Sequence, residues 1–268
     1  MIKFVIKRDG RTEVFSKEKV LKSVMCCLDT KNALTLIESV TIEMPEIIKT
    51  EDLFLKIRTE MWKSFPAAAV KFGLREDMMR LGPAGYNFED FYAKILSELG
   101  VKNVKVRQIY KGKCADHELD VVYQSQKGKE FAEMKYHNQF GIYTGLKEAL
   151  YTYMRFIDLN DSGNNFAKAN LVTNTKISEE AVRFSNCKEM GILAWKYPPG
   201  NGLEKLIEST GTYPVTALVN FLSEEKIKEL MELKIITLKD LITAYESKAL
   251  PKNYEEAYRI ARISIYGY

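Results

Sequence analysis

Residues 119–136 read LDVVYQSQKGKEFAEMKY. Leu119–Tyr123 and Glu130–Tyr136 are rich in β-branched and aromatic residues, and the stretch between them is polar with one glycine, so the segment predicts two antiparallel strands joined by a hairpin turn. With the turn centred between Gln126 and Gly128, residue numbers facing one another sum to about 253 to 255, which sets Asp120 opposite Glu133, Met134 or Lys135. Side chains alternate along a strand, so Glu133 and Lys135 project to the same side, where the pattern calls for apolar residues. Asp120 and Glu133 can then share one ion. Asp116, four residues back, falls roughly 13 Å away at about 3.3 Å per residue and is the poorer candidate. Two carboxylates, a lysine and a neighbouring backbone carbonyl, that of Met134, form a hard oxygen site of the kind Mg²⁺ or Mn²⁺ accepts. Such an ion polarises a phosphodiester and acidifies a bound water, with Lys135 orienting the water or balancing developing charge.

Around this hairpin the periodicity alternates between helix and strand. A helix follows Asn87, read as its cap, with an apolar stripe of Phe88, Phe91, Tyr92, Ile95, Leu96 and Leu99; Glu89 falls at the flank of the stripe, able to reach the same site, and Asp90 faces away. Strands are predicted at Val104–Tyr110, Ala169–Thr173 and Ile192–Trp195, and helices at about Leu146–Leu159 and from Ser178. The central block is therefore α/β with a mixed sheet. Lys102, Lys105, Arg107, Lys111 and Lys113 form a basic stretch with no acidic residue between Val101 and Ala115, which can follow a DNA backbone or simply guard an edge strand.

Before this block, Asp9-Gly10 predicts a hairpin, Ser16 a helix cap ahead of Lys17–Leu28, Ala33 opens a second helical run, and Thr50 is read as a further cap with Glu51 and Asp52 in the first turn. Gly82-Pro83-Ala84-Gly85 and Pro198-Pro199-Gly200-Asn201-Gly202 read as linkers. After the second, only helical periodicity remains. The expected domains are 1–83, 84–200 and 201–268. Within the tail, Lys234–Ile236 followed by Thr237 and Asp240 weakly resembles a helix-hairpin-helix, lacking the glycine of such hairpins; docking or oligomerisation fits its near-neutral charge better than a DNA grip.

Composition narrows the class. The chain has 268 residues, 46% hydrophobic and 28% charged, with 15 Gly and 7 Pro, values of an ordinary globular protein able to bury cores. No apolar run suits a membrane span, and Lys3 spoils a signal peptide, so a cytoplasmic protein without a membrane partner is expected. Forty basic and 36 acidic residues give +4, too little bias to name a polyanionic partner. Four cysteines without a Cys-x-x-Cys indicate neither a disulfide framework nor a four-cysteine zinc site, and Cys114-x-x-His117 is at most half of one.

The order Glu89 on a helix, Asp120 in His117-Glu118-Leu119-Asp120-Val121-Val122, Glu133-Met134-Lys135, then a helix and the strand Asn170–Thr175, resembles the PD-(D/E)xK nuclease superfamily in its Mrr-like restriction endonuclease branch, over most of residues 86–197. That resemblance implies metal-dependent cleavage of double-stranded DNA, with Asp120 and Glu133 as ligands, Lys135 as catalytic lysine and Glu89 as accessory acid. Asp120 lacks the preceding Pro or Gly of many such sequences. Residues 1–80, through Val5-Ile6-Lys7-Arg8-Asp9-Gly10, Glu13, Phe15, Lys19 and Ile48-Lys49-Thr50-Glu51-Asp52, resemble the ATP-cone domain. This implies ATP or dATP as a regulatory ligand, contacted by Lys7, Arg8, Glu13, Lys49 and Thr50. Lys71-Phe72-Gly73-Leu74-Arg75 departs from the usual Tyr-Arg ending. No Gly-x-x-x-x-Gly-Lys-Ser/Thr loop occurs, so the module is expected to bind and regulate without hydrolysing ATP. The expected protein is a nucleotide-controlled endonuclease, open to homo-oligomerisation. Its rivals are a non-catalytic, nucleotide-responsive DNA-binding regulator on the same fold and an RNA-directed nuclease.

Overall fold

A computed structural model describes residues 2–42, 44–82 and 85–267. The chain forms an α/β protein with mixed sheets, divided into two compact units, Met1–Leu74 with Asn253–Tyr268, and Arg75–Lys252. This partition differs from three consecutive blocks, because residues 201–252 belong with the central sheet and the last helix belongs with the amino-terminal residues. Of the first expected linker, Pro83 and Ala84 lie outside the described residues. The second is a tight turn: Asn201 N donates to Pro198 O at 2.9 Å, and a Cβ on Gly202 would stand 2.5 Å from Trp195 O. Proline and glycine here let two backbones touch and do not make a tether.

In the first unit, β1 (Phe4–Ile6) and β2 (Thr12–Val14) pair antiparallel around Asp9-Gly10, where Gly10 adopts φ +82°. Ser16 caps α1 (Lys17–Val24) by accepting from Lys19 N at 3.2 Å, though the helix stops short of Leu28. After α2 (Thr30–Ile42), an unforeseen strand, β3 (Ile47–Lys49), pairs parallel with β1. That pairing moves the next cap: Lys49 occupies the cap position of α3 (Thr50–Ser64) without a side-chain bond, and the Thr50 hydroxyl instead donates to Ile6 O at 3.2 Å. Pro66 suits the first position of α4 (Pro66–Met78), whose residues after Leu74 belong to the second unit.

The second unit opens with α5 (Tyr86–Glu98), which buries Phe88, Phe91, Tyr92, Ile95 and Leu96 as expected, while Leu99 ends exposed at the helix terminus. Asn87 lies inside the helix and does not cap it; its amide donates to Leu81 O at 2.6 Å. There follow β4 (Lys102–Lys111), β5 (Asp116–Ser125), β6 (Gly128–Lys135), β7 (Tyr143–Thr144), α6 (Leu146–Asp161), β8 (Lys168–Thr173), β9 (Lys176–Ile177), α7 (Glu179–Cys187) and β10 (Gly191–Leu193). The main sheet runs β10-β8-β6-β5-β4, antiparallel among β4, β5 and β6 and parallel from β6 to β10; β7 and β9 form a separate parallel pair. One face of this sheet packs against α6 through Leu119, Val122, Phe131, Leu159 and Phe166.

The unit is completed by α8 (Leu203–Thr210), a 3-10 turn at Val215–Leu218, α9 (Glu224–Glu232) and α10 (Leu238–Glu246), the last closed by a Thr237–Asp240 capping box. Ion pairs fix these helices to α5: Lys94–Asp240 at 2.8 Å, Lys234–Asp90 at 2.7 Å, and Lys239–Glu98. Lys234, at φ +62°, takes the left-handed turn where a hairpin glycine was missing. The chain ends with α11 (Glu255–Tyr266) in the first unit. No helix among the described residues is long and apolar enough to cross a membrane.

The β4–β5 turn explains the half zinc motif. His117 Nε2 lies 2.7 Å from Asp158 Oδ2, and Cys114 N donates to Asp158 Oδ1 at 2.8 Å, so one carboxylate gathers both residues. The bond from His117 leads the effects that hold the Asp158 carboxyl down at about 2. Gly112 sits against this knot: a Cβ there would meet Asp158 Oδ2 at 2.0 Å and Ala115 O at 2.6 Å. Gly112→Ala is expected to destabilise by about 1–3 kcal/mol, the usual cost of overpacking, and thermal unfolding should show a Tm lower by roughly 2–4 °C per kcal/mol.

Candidate active site

The β5–β6 hairpin pairs Val121 with Ala132 and Ser125 with Gly128, so facing numbers sum to 253 (121 and 132), and the turn is only Gln126-Lys127. Continuing that register sets Asp120 across from Glu133. The ladder stops at Val121, however, and the Asp120 side chain takes over, Oδ2 accepting from Met134 N at 2.6 Å. Three observations mark an irregularity there. Leu119 and Val122, three apart, pack into the same core cluster, so strand alternation slips between them. The β4–β5 ladder has no pair at Arg107 and Asp120, and Arg107 adopts φ +52°. Bulges of this kind re-aim side chains, often beside active sites.

Glu133 is 3% exposed and clamped from two sides. Lys135 Nζ lies 2.7 Å from its Oε1, and Arg155 Nη1 donates to its Oε2. Arg155, on α6, also donates to Glu118 O, while its buried Nε has no hydrogen-bond partner among the described residues. Both cations lie over the Tyr151 ring, Lys135 at 5.7 Å and Arg155 at 5.3 Å from its centre. Burial pushes the Asp120 carboxyl up to about 7, with the charges of Glu133 and, more weakly, Glu89 adding to it; the Met134 N–H and Lys135 oppose the rise. Lys135 loses some basicity to burial, but Glu133 and Asp120 outweigh that and raise it. Two carboxylates crowded at a largely buried point repel one another, a deficit of the kind that a hard divalent cation such as Mg²⁺ or Mn²⁺ would relieve.

Glu89 is brought near this pair, since its charge acts on Asp120, yet its own partner is Arg107, whose Nη1 donates to Glu89 Oε2 at 2.8 Å. Burial raises the Glu89 carboxyl against the opposing pull of Arg107. Asp90 does point elsewhere, but not to open solvent: it accepts from Arg107 Nη2 at 2.7 Å and from Lys234 Nζ at 2.7 Å. The basic stretch is thus divided, Arg107 being spent internally while Lys102, Lys105, Lys111 and Lys113 stay exposed. Among the described residues no group of three or more His, Cys, Asp or Glu side chains is arranged to hold a metal; Asp120 and Glu133 are two carboxylates, short of that number.

Two site-forming groups were missed in the sequence. Arg155 falls on the buried phase of α6 with Ala149, Thr152 and Leu159, and an arginine in that phase was the available signal. Glu130 is buried and accepts from Ser125 Oγ at 2.5 Å, Asn170 Nδ2 at 3.0 Å and Tyr123 OH at 3.2 Å, a satisfied network that braces the far end of β6.

In the first unit, Lys7 and Lys19 each lie 3.5 Å from Glu13, and Arg8 pairs with Glu51 at 2.8 Å. The β1–β3 register pairs Ile6 with Lys49, which gathers Lys7, Lys49 and Thr50 at the end of the strands where α3 begins.

This α/β protein matches no family model. It is 38% identical over 156 residues to an uncharacterized protein of Archaeoglobus fulgidus, covering 58% of this chain and 86% of that one. The chain belongs to the same family as that protein. The crystal structure of a protein of unknown function, AF1548, aligns with a TM-score of 0.59 and 34% identity, over 69% of this chain and all of that one.

The pKa of Asp120 gives a stability test. A carboxyl raised from the ordinary value near 4 to about 7 stabilises the fold fully below about pH 4, and that contribution is lost as pH rises through 7. Asp120→Asn keeps an acceptor for Met134 N and removes the titration. In chelator, its Tm is expected to exceed the parent's at pH 8 by an amount that shrinks toward pH 4. An offset independent of pH would rule out the crowded carboxyl.

Proposed function

We propose that the chain is a metal-dependent DNA endonuclease of the PD-(D/E)xK type, Mrr-like, controlled by ATP or dATP bound in an ATP-cone formed by the first unit. The observation that carries this is the convergence of Asp120, Glu133 and Lys135, with Asp120 pushed up to about 7 at the irregularity between β5 and β6. Asp120 and Glu133, with the Met134 backbone, are the groups that would hold Mg²⁺, which supplies Lewis-acid polarisation of the phosphodiester and an acidified water. Lys135, kept charged by its carboxylate neighbours, sits where it can orient the attacking water or balance charge on the phosphorane. Arg155 fixes the rotamer of Glu133, and Glu89 adds negative charge to the site while Arg107 restrains it. In the first unit, Lys7, Arg8 and Lys49, with the uncapped N–H groups at the start of α3, form a cationic end suited to a polyphosphate.

A second reading, a DNA-binding regulator that retains the fold without cutting, draws on one specific feature: Glu133 is already neutralised by Lys135 and Arg155. Plasmid nicking at stoichiometric protein in Mg²⁺ or Mn²⁺ separates the two. Cleavage is expected, and Glu133→Gln, which keeps an acceptor for Arg155, and Lys135→Ala should each lower it by at least about a hundredfold with circular dichroism unchanged. DNA binding without cleavage in either metal would establish the regulator. Parallel RNA substrates, and methylated against unmethylated DNA, define the substrate. Calorimetry should show ATP or dATP binding that Lys7→Ala weakens by about tenfold, the loss of one charge-assisted phosphate contact. An absence of binding by the parent removes the nucleotide control.

A further inference from the structure

A cavity of about 560 Å³ is lined by Tyr143, Ile177, Val182, Ala194 and Tyr197, with Lys176, Arg183 and Lys196 around it and Glu179 as the acidic member of the lining. Its size lies in the roughly 300–1,000 Å³ range of ligand-holding clefts. Backbone pairing positions two of its aromatic walls. Tyr143 belongs to the β7–β9 ladder opposite Lys176, and Tyr197 is held by reciprocal backbone bonds with Ala194 at 2.8 and 3.2 Å. Yet the Tyr143 side chain is 55% exposed, with Lys176 Nζ 5.4 Å from its ring centre and 3.3 Å from its hydroxyl. The other two cations are weakly held, Arg183 at 3.8 Å from Glu180 and Lys196 at 3.9 Å from Glu204, so both can turn to an anion.

The cavity is also tied to the catalytic strand. Thr144, next to Tyr143, donates to Thr173 Oγ1 at 2.8 Å, and Thr173 is the strand partner of Lys135. Aromatic platforms with a cationic border are the means by which single-stranded nucleic acid is held, bases stacking on rings and phosphates meeting lysine and arginine. A base inside a duplex cannot enter such a cavity without leaving its stack.

We propose that this cavity seats an unpaired nucleobase of the DNA strand, with its flanking phosphates against Lys176, Arg183 and Lys196. Resting on the nuclease reading above, this assigns the enzyme to DNA carrying a single-stranded or extruded nucleotide next to the cleaved bond, a class narrower than intact duplex.

The test uses the full chain in chelator, so that no strand is cut, and DNA oligonucleotides containing one 2-aminopurine, presented single-stranded, fully paired, or opposite an abasic site. The unpaired forms are expected to bind at least tenfold more tightly than the paired form and to lose 2-aminopurine emission as the base stacks, a preference of the size one base–aromatic stack provides. Tyr143→Ala should abolish the preference, Tyr143→Phe should retain it, and Arg183→Ala should weaken binding of the unpaired forms. Equal affinity for paired and unpaired DNA, or a preference left intact in both Tyr143→Ala and Tyr197→Ala, overturns the proposal. Cleavage by the parent in Mg²⁺ or Mn²⁺, of plasmid and of the same unpaired DNA, is read separately: its absence on both removes the nuclease reading, while the fluorescence still decides the pocket.

Discussion

The site depends on one substitution of hydrogen-bonding roles. Where β5 parts from β6, the carboxylate of Asp120 replaces a backbone carbonyl as the acceptor for Met134 N. A regular ladder would have satisfied that N–H with main chain, leaving the Asp120 side chain free to seek water. Instead the bond draws a charged group into the edge of the core and holds it beside Glu133. Burial raises the Asp120 pKa, and the crowding by Glu133 that follows from this bond adds to the rise. The same irregularity accounts for Arg107, whose left-handed backbone lies where β4 should face Asp120 and whose guanidinium is turned toward α5. Strain of this sort persists only where the surroundings over-determine it, and two carboxylates on one guanidinium provide that.

Much of this was readable in the sequence because the constraint is local. The approach of Asp120 to Glu133 and Met134 follows from the length of one hairpin: the observed sum of 253 falls within the expected 253 to 255, although the turn is tighter than expected and the ladder ends at Val121. The burial of Phe88 through Leu96 follows from helical periodicity for the same reason. What failed to show was whatever depends on distant chain. Arg155 is 22 residues from Glu133, and nothing nearby in sequence demands that they meet. The cap at Lys49 shifted because β3 pairs with β1, more than forty residues earlier, and residue composition at Thr50 cannot report that. Pro198 to Gly202 has the composition of a tether and the structure of a packed turn, because both need the same backbone freedom.

The two arginines illustrate how charge count and charge function diverge. By sequence Arg107 belongs with the exposed lysines of β4, yet its side chain is committed to Glu89 and Asp90. Arg155 stands apart from any basic stretch, yet it neutralises the most buried carboxylate of the site. A buried pair of this kind is a weak source of net stability, since desolvation offsets most of the attraction, but it fixes geometry because either partner alone would be intolerable.

Asp90 joins two arrangements that look separate. One oxygen holds Arg107, which restrains Glu89, and the other holds Lys234 at the hinge between α9 and α10. The carboxyl-terminal helices are thereby coupled through a single carboxylate to the acid that shapes the field at Asp120. Mobile ions compete with exposed contacts far more than with enclosed ones, and Lys234 is the exposed member of this relay. Rising ionic strength therefore weakens the Asp90–Lys234 contact before the more enclosed Asp90–Arg107 contact, so the join between α5 and the helical segment yields to salt sooner than the join between α5 and β4.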